Sequence, residues 1–310
     1  MKTITPNYKG KEVVELCKEL KRNGYNVNET DRYSKSLQTS VKEFQNNKKL
    51  MPDGIVGYRT WEALLFGNRP QKERLTNEDF QLLAQLLDCE TAAIRAVCEV
   101  ETGMKGGFLA PGIPVVLFEG HIFWEQLKKR GIPPLQLTAE NSDILHPNWE
   151  RNKYKKGVKE FDRLLKARKI DRQAADSSAS WGMFQIMGFN HTTCGEPDID
   201  KFVAAMCESE RKQLILSGRF LRQSGALPSL RSKDWEEFAR IYNGPAYKKN
   251  NYDIRLKNAY RKYCTEKLPT GKKQKSNELF PQQIQINYFC KQRDSFESQS
   301  KYRCPKRTQK

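Results

Sequence analysis

The segment CETAAIRAVCEVETGMKGGF, residues 89–108, sets Ile94, Val97, Cys98 and Glu101 at i, i+3, i+4 and i+7, which is one face of a helix. Glu101 therefore continues an apolar stripe, Glu99 points away from it, and Gly103 stops the helix directly afterwards. A carboxylate at the end of an apolar face is costly to bury charged, so its pKa is expected to rise. A carboxyl that keeps its proton near neutral pH is what protonation of a glycosidic oxygen requires. Periodicity alone leaves a second reading open, in which Glu101 reaches solvent or pairs with an arginine.

Three further segments offer groups that could face such an acid. SASWGMFQIMGFN, residues 178–190, is small and apolar except for Gln185 and its serines. Gly182 permits close backbone approach, and the Gln185 amide offers donor and acceptor to an acetamido group or a hydroxyl. Ser180 either contacts the same ligand or, with Ser178, caps the following turn. Trp181, Met183, Phe184 and Ile186 read as core. ARIYNGPAY, residues 239–247, makes a turn and brings Tyr242 and Asn243 as polar candidates. Glu119 and His121 follow the strand-like run PVVLF. Glu119 is a candidate second carboxylate, or a structural group that orients His121.

The elements that must position these groups are mostly helical. Residues 1–66 hold three short amphipathic helices, with Val13, Leu16 and Leu20, then Leu37, Val41 and Phe44, then Trp61, Leu64 and Leu65 inward. Gly24 ends the first helix, and Thr60 is expected to open the third. Residues 67–74 contain Pro70 and read as a linker. Residues 75–264 form a long helix-rich unit that includes a basic amphipathic helix over 152–169. Residues 265–310 carry eleven Lys/Arg against four Asp/Glu, a flexible basic tail by composition. The fold class is mainly α.

The first unit resembles the small three-helix peptidoglycan-binding domain of wall-lytic enzymes. Phe44-Gln45, Asp53-Gly54-x-Val56-Gly57 and Thr60-Trp61 carry that likeness. It implies that Tyr58 and Arg59, on the turn before the third helix, contact a muropeptide. AVCEVETGMKGGF, PVVLFEGHIFW, SASWGMFQIMGFN and DWEEFARIYNGPAY resemble the N-acetylmuramidase domain of phage endolysins. Their order is similar to that in goose-type lysozymes and lytic transglycosylases. The resemblance implies a lysozyme-like helical domain with Glu101 as general acid, facing Gln185, Ser180, Tyr242, Asn243 and His121 across a sugar groove. It also implies Asp176 as the second carboxylate, narrowly ahead of Glu119. Inversion needs roughly 6.5–9.5 Å between the two carboxyls, and retention roughly 5–5.5 Å.

A net charge of +18 favours a polyanionic partner, here peptidoglycan and the anionic bacterial envelope rather than nucleic acid. No apolar run reaches a membrane span, and the first residues lack a signal-peptide core. The expectation is a monomer held in the host cytoplasm and acting on peptidoglycan after release. The eight cysteines show no C-x-x-C pair, so reduced thiols and no metal or cofactor are expected. The rival classes are a lytic transglycosylase, which leaves 1,6-anhydromuramyl ends, and a wall-binding protein without activity.

Overall fold

The computed structural model describes residues 1–69, 74–103, 106–155, 157–245 and 247–266. Much of the predicted linker, and the basic tail from residue 267 on, lie outside them. Three helices open the chain: α1 (Lys11–Arg22), α2 (Lys35–Asn47) and α3 (Tyr58–Phe66). Val13, Leu16, Leu20, Val41, Phe44, Trp61 and Leu65 are sealed between them. Gly24, at φ +88°, turns the chain out of α1 in the left-handed region that glycine tolerates.

The third helix starts two residues earlier than Thr60, on Gly57, because Thr60 is engaged elsewhere. The buried Gln45 amide donates to Asp53 Oδ1 (3.0 Å), Ile55 O (3.0 Å) and Thr60 Oγ1 (3.1 Å). Its Oε1 accepts from Gly54 N–H at 2.9 Å. One glutamine thus ties the whole Asp-Gly-x-Val-Gly turn to α2.

Beyond this module come α4 (Asn77–Leu87), α5 (Thr91–Thr102), β1 (Phe108–Ala110), β2 (Ile113–Pro114), β3 (Val116–Phe118), α6 (Gly120–Lys129) and α7 (Thr138–Asn141). They are followed by α8 (Val158–Arg168), α9 (Arg172–Ser177), β4 (Ala179–Trp181) and β5 (Ile186–Met187). Five α-helices complete the described chain: α10 (Ile199–Glu208), α11 (Glu210–Gln223), α12 (Leu227–Ser232), α13 (Trp235–Asn243) and α14 (Tyr252–Thr265). The predicted helix over 152–169 is shorter, since Gly157 at φ +57° breaks the chain before α8.

Within segment 178–190, β4 and β5 form a β-hairpin that runs into a 3-10 turn over Gly188–Asn190. β3, β4 and β5 form an antiparallel sheet in that order, with Leu117 opposite Ser180 and Ser180 opposite Met187. Side chains alternate across a sheet, so these three share one face. Val116, Phe118, Trp181 and Ile186 fill the other and are buried. α5 packs between α4 and α14, and its last turn meets the end of α13 through Asn243.

Residues 1–267 form one compact unit, and α11 joins the N-terminal module to the rest. Arg219 meets Glu62 through two bonds of 2.9 and 2.6 Å and reaches Glu196 at 2.8 Å. Both Arg219 and Glu62 side chains are 9% exposed. Removing one partner of such a pair leaves an uncompensated buried charge. Arg219→Ala should therefore cost about 3–5 kcal/mol at neutral pH, read by urea denaturation. The paired replacement Arg219→Met with Glu62→Leu should recover most of that loss.

Candidate active site

Glu101 occupies the last turn of α5, and Gly103 closes the helix at φ +62°. Its side chain is half-buried. No cation pairs with it among the described residues. Asn243, at the end of α13, donates from Nδ2 to Glu101 Oε1 at 3.1 Å. The Asn243 Oδ1 beside it is buried and unpartnered. Burial raises the Glu101 pKa to about 7, outweighing the Asn243 hydrogen bond and the more distant Arg255 charge, which both favour ionisation. Arg255 is occupied instead with Val100 O, at 2.7 Å.

Tyr242 stands next to Asn243, stacked on Phe238 (5.3 Å between ring centroids) and edge-on to Phe220 (5.6 Å). Its hydroxyl donates to Phe184 O at 3.1 Å, which links α13 to the β4–β5 turn. Gln185 in that turn sits at φ +47°, a left-handed conformation that a residue with a side chain adopts only when its surroundings impose it. Its amide closes the turn on itself. Nε2 donates to Gly182 O at 2.9 Å, and Oε1 accepts from Ser180 Oγ at 2.8 Å. Gln185 thus spends one amide hydrogen on Gly182 O and one lone pair on Ser180, leaving one of each for a ligand.

Glu101, Tyr242, Asn243, Gln185 and Ser180 are joined by these contacts. Asp176 is not among them. It is fully buried under α9, and its Oδ1 accepts from Arg168 Nε at 2.6 Å. Its backbone carbonyl accepts from Trp181 Nε1 at 3.0 Å. A carboxylate with no exposed surface cannot activate a solvent water, so the expectation of Asp176 as base is corrected by the geometry: it is a structural counter-ion. Glu119 follows β3, and its backbone N–H donates to Ser178 O at 3.0 Å. Its carboxylate accepts from the Tyr154 hydroxyl and lies 3.4 Å from His121 Nδ1. Burial raises the Glu119 pKa.

Tyr58 and Arg59 also differ from expectation. The Tyr58 hydroxyl is buried, and Arg222 of α11 lies 4.8 Å from its ring. Tyr58 therefore belongs to the junction between module and body, not to a free binding surface. Arg59 stays half exposed, 3.6 Å from Glu62.

Two residues that sequence reading missed hold the site together. Gln213, buried on α11, accepts from Met183 N–H at 2.8 Å. It donates to Gly107 O at 3.2 Å and Met206 O at 2.9 Å. One turn earlier, Glu210 accepts from Gly107 N–H (2.9 Å) and Leu75 N–H (2.8 Å). A Cβ on Gly107 would lie 1.9 Å from Gln213 Oε1, and one on Gly182 would lie 2.6 Å from its Cδ. The chain after Glu101 and the β4–β5 turn are therefore pinned to one amide. The available signal was a glutamate and a glutamine three apart on the otherwise apolar face of a helix.

With this geometry in hand, comparison with known proteins is decisive. Residues 90–264 match the family model described as N-acetylmuramidase. The chain belongs to the N-acetylmuramidase family. Residues 9–64 of this muramidase-family chain match the model for a peptidoglycan binding domain. A solved structure, that of a Burkholderia AP3 phage endolysin, is 37% identical, with a TM-score of 0.57, over 86% of this chain and 100% of that one. No curated protein matches. The muramidase chain is thus a glycoside hydrolase of lysozyme type, a modular peptidoglycan hydrolase with a wall-binding module ahead of its lysozyme-like domain.

Replacing Gln213 by Glu would turn its donor into an oxygen facing the carbonyls of Gly107 and Met206. The expected cost is about 2–3 kcal/mol, with slower clearing of peptidoglycan. Thermal melts and turbidity assays check the two effects.

Proposed function

We propose that this chain lyses its host by hydrolysing the β-1,4 bond between N-acetylmuramic acid and N-acetylglucosamine, with Glu101 as general acid. The observation that carries the reading is the Glu101 carboxyl, held at a helix end with a pKa of about 7 and no pairing cation among the described residues. Protonated Glu101 gives its proton to the glycosidic oxygen as the bond breaks, and positive charge develops at the sugar carbon. With Asp176 sealed in its ion pair, proton transfer to the glycosidic oxygen falls to Glu101.

The chain waits in the host cytoplasm as a monomer and acts on the wall once released. Its domain boundaries are 1–66, 67–74 and 75–264, with a basic tail at 265–310. Among the described residues no helix is long and apolar enough to cross a membrane. The +18 charge supports attraction to the anionic envelope through the basic surface and tail.

Glu101→Gln should lower turbidity clearing of permeabilised cells by at least about a hundredfold while wall pull-down persists. Clearing at the wild-type rate would remove Glu101 from the mechanism. Mass spectrometry of the digest should find reducing ends, whereas 1,6-anhydro ends would make the enzyme a transglycosylase.

The pH dependence follows from the same group. The acid must be protonated, so kcat/KM should fall as pH rises through about 7. Between the ordinary 4.5 and about 7 the folded carboxyl binds more protons than the unfolded one, so its contribution to stability declines with rising pH. Glu101→Gln removes that penalty. It should melt several degrees above the parent at pH 8 and show no such gain at pH 4, by calorimetry.

A further inference from the structure

Beyond the groups around Glu101, one exposed aromatic stands beside a carboxylate. Trp149 leaves 60% of its surface in solvent, whereas Trp61, Trp181 and Trp235 are buried and Trp124 is half-buried. A lone exposed apolar side chain is ordinary, so its neighbours decide its meaning. The Trp149 ring lies 5.9 Å from that of Tyr154, whose hydroxyl donates to Glu119 Oε2. On the inner side, the Arg163 guanidinium lies 5.7 Å from the Tyr154 ring. Arg163 is itself fixed by Phe118 O and Asp143 O, at 3.0 Å each. The Tyr154 ring is therefore held from behind, and Trp149 packs against it from the solvent side.

The Glu119 side chain keeps 17% of its surface, and its Oε1 takes no hydrogen bond from the described residues. His121 Nδ1 faces Oε2 at 3.4 Å without forming a hydrogen bond. Burial and the neighbouring His146 lower the His121 pKa, so this contact is not an ion pair. The group is continuous with the reaction centre through β3 and β4. Glu119 prolongs β3 beside Ser178, and Ser180 of β4 bonds to Gln185, whose neighbour Phe184 accepts from Tyr242.

A flat apolar ring next to a carboxylate oxygen and an imidazole complements a pyranose, which has an apolar C–H face and a polar rim. We propose that Trp149, Tyr154, Glu119 and His121 form a subsite for one further N-acetylated sugar ring of the glycan strand. The ring stacks on Trp149, and Glu119 Oε1 accepts from its hydroxyl or amide. Tyr154 acts by positioning both. The assignment rests on the glycan-cleaving reading and extends it along the strand.

Hexa-N-acetylchitohexaose binding to Glu101→Gln protein, read by calorimetry and tryptophan fluorescence, tests the subsite. Hexamer binding should shift the emission. Adding Trp149→Ala should weaken binding about tenfold and abolish the shift, and Trp149→Phe should retain most of the affinity. Glu119→Gln should also weaken binding. Equal hexamer affinity with and without Trp149, at unchanged melting temperature, would overturn the proposal. So would failure of the Glu101→Gln protein to bind hexamer at all. Should Trp149→Ala lower the melting temperature, Trp149→Phe decides: an emission that still shifts on hexamer binding, or an affinity as low as that of Trp149→Ala, overturns the subsite. Release of reducing ends from peptidoglycan by the wild type tests the hydrolase reading separately, so the two can fail apart.

Discussion

A carboxyl that loses much of its water on folding, and pairs with no cation among the described residues, finds it easier to stay neutral than to ionise. That single imbalance at Glu101 organises the surroundings. Gly103 ends the helix two residues after it, in the left-handed region. Asn243 contributes one hydrogen bond, which is too little to undo the loss of water. The arginine that could have neutralised the charge, Arg255, is spent on a backbone carbonyl. The same chain shows a different arrangement at Asp176, which is fully buried and supplied with Arg168. The two carboxyls thereby serve different ends, one for proton transfer and one for cohesion.

Around this centre the polar side chains hold backbone in place more than they reach outward. Gln45 ties the turn before α3, Gln213 ties two glycine-containing loops, and Gln185 closes its own left-handed turn. In each case a side-chain amide supplies the donor and acceptor that an irregular segment lacks internally. Buried backbone needs such partners, and amides satisfy both signs without introducing charge.

Much of this was legible in the sequence. The period of apolar residues located α1, α2 and α5, and it placed Glu101 on the inward stripe of its helix. Phe44-Gln45 and Asp53-Gly54 marked a turn that the Gln45 amide explains. Asp176 misled because spacing along the chain says nothing about the arginine that folds onto it. Tyr58 misled because a turn residue looks exposed until α11 covers it. The short strands β4 and β5 were hard to see, since two- and three-residue strands are too brief for alternation to register. Gln213 and Glu210 escaped notice because their partners are backbone groups far away in the chain, which leave no pattern among side chains.

One helix, α11, touches both halves of the molecule. Its first turns brace the loops beside Glu101 through Glu210 and Gln213, and Arg219 clasps the N-terminal module. Gln213 and Arg219 are six residues apart, about 9 Å along the axis. An enzyme tethered at one end to a solid lattice and at the other to a strand of it works under tension. Here that load would run down a stiff rod, so a pull on the anchor is delivered to the catalytic groove as strain instead of being lost in slack.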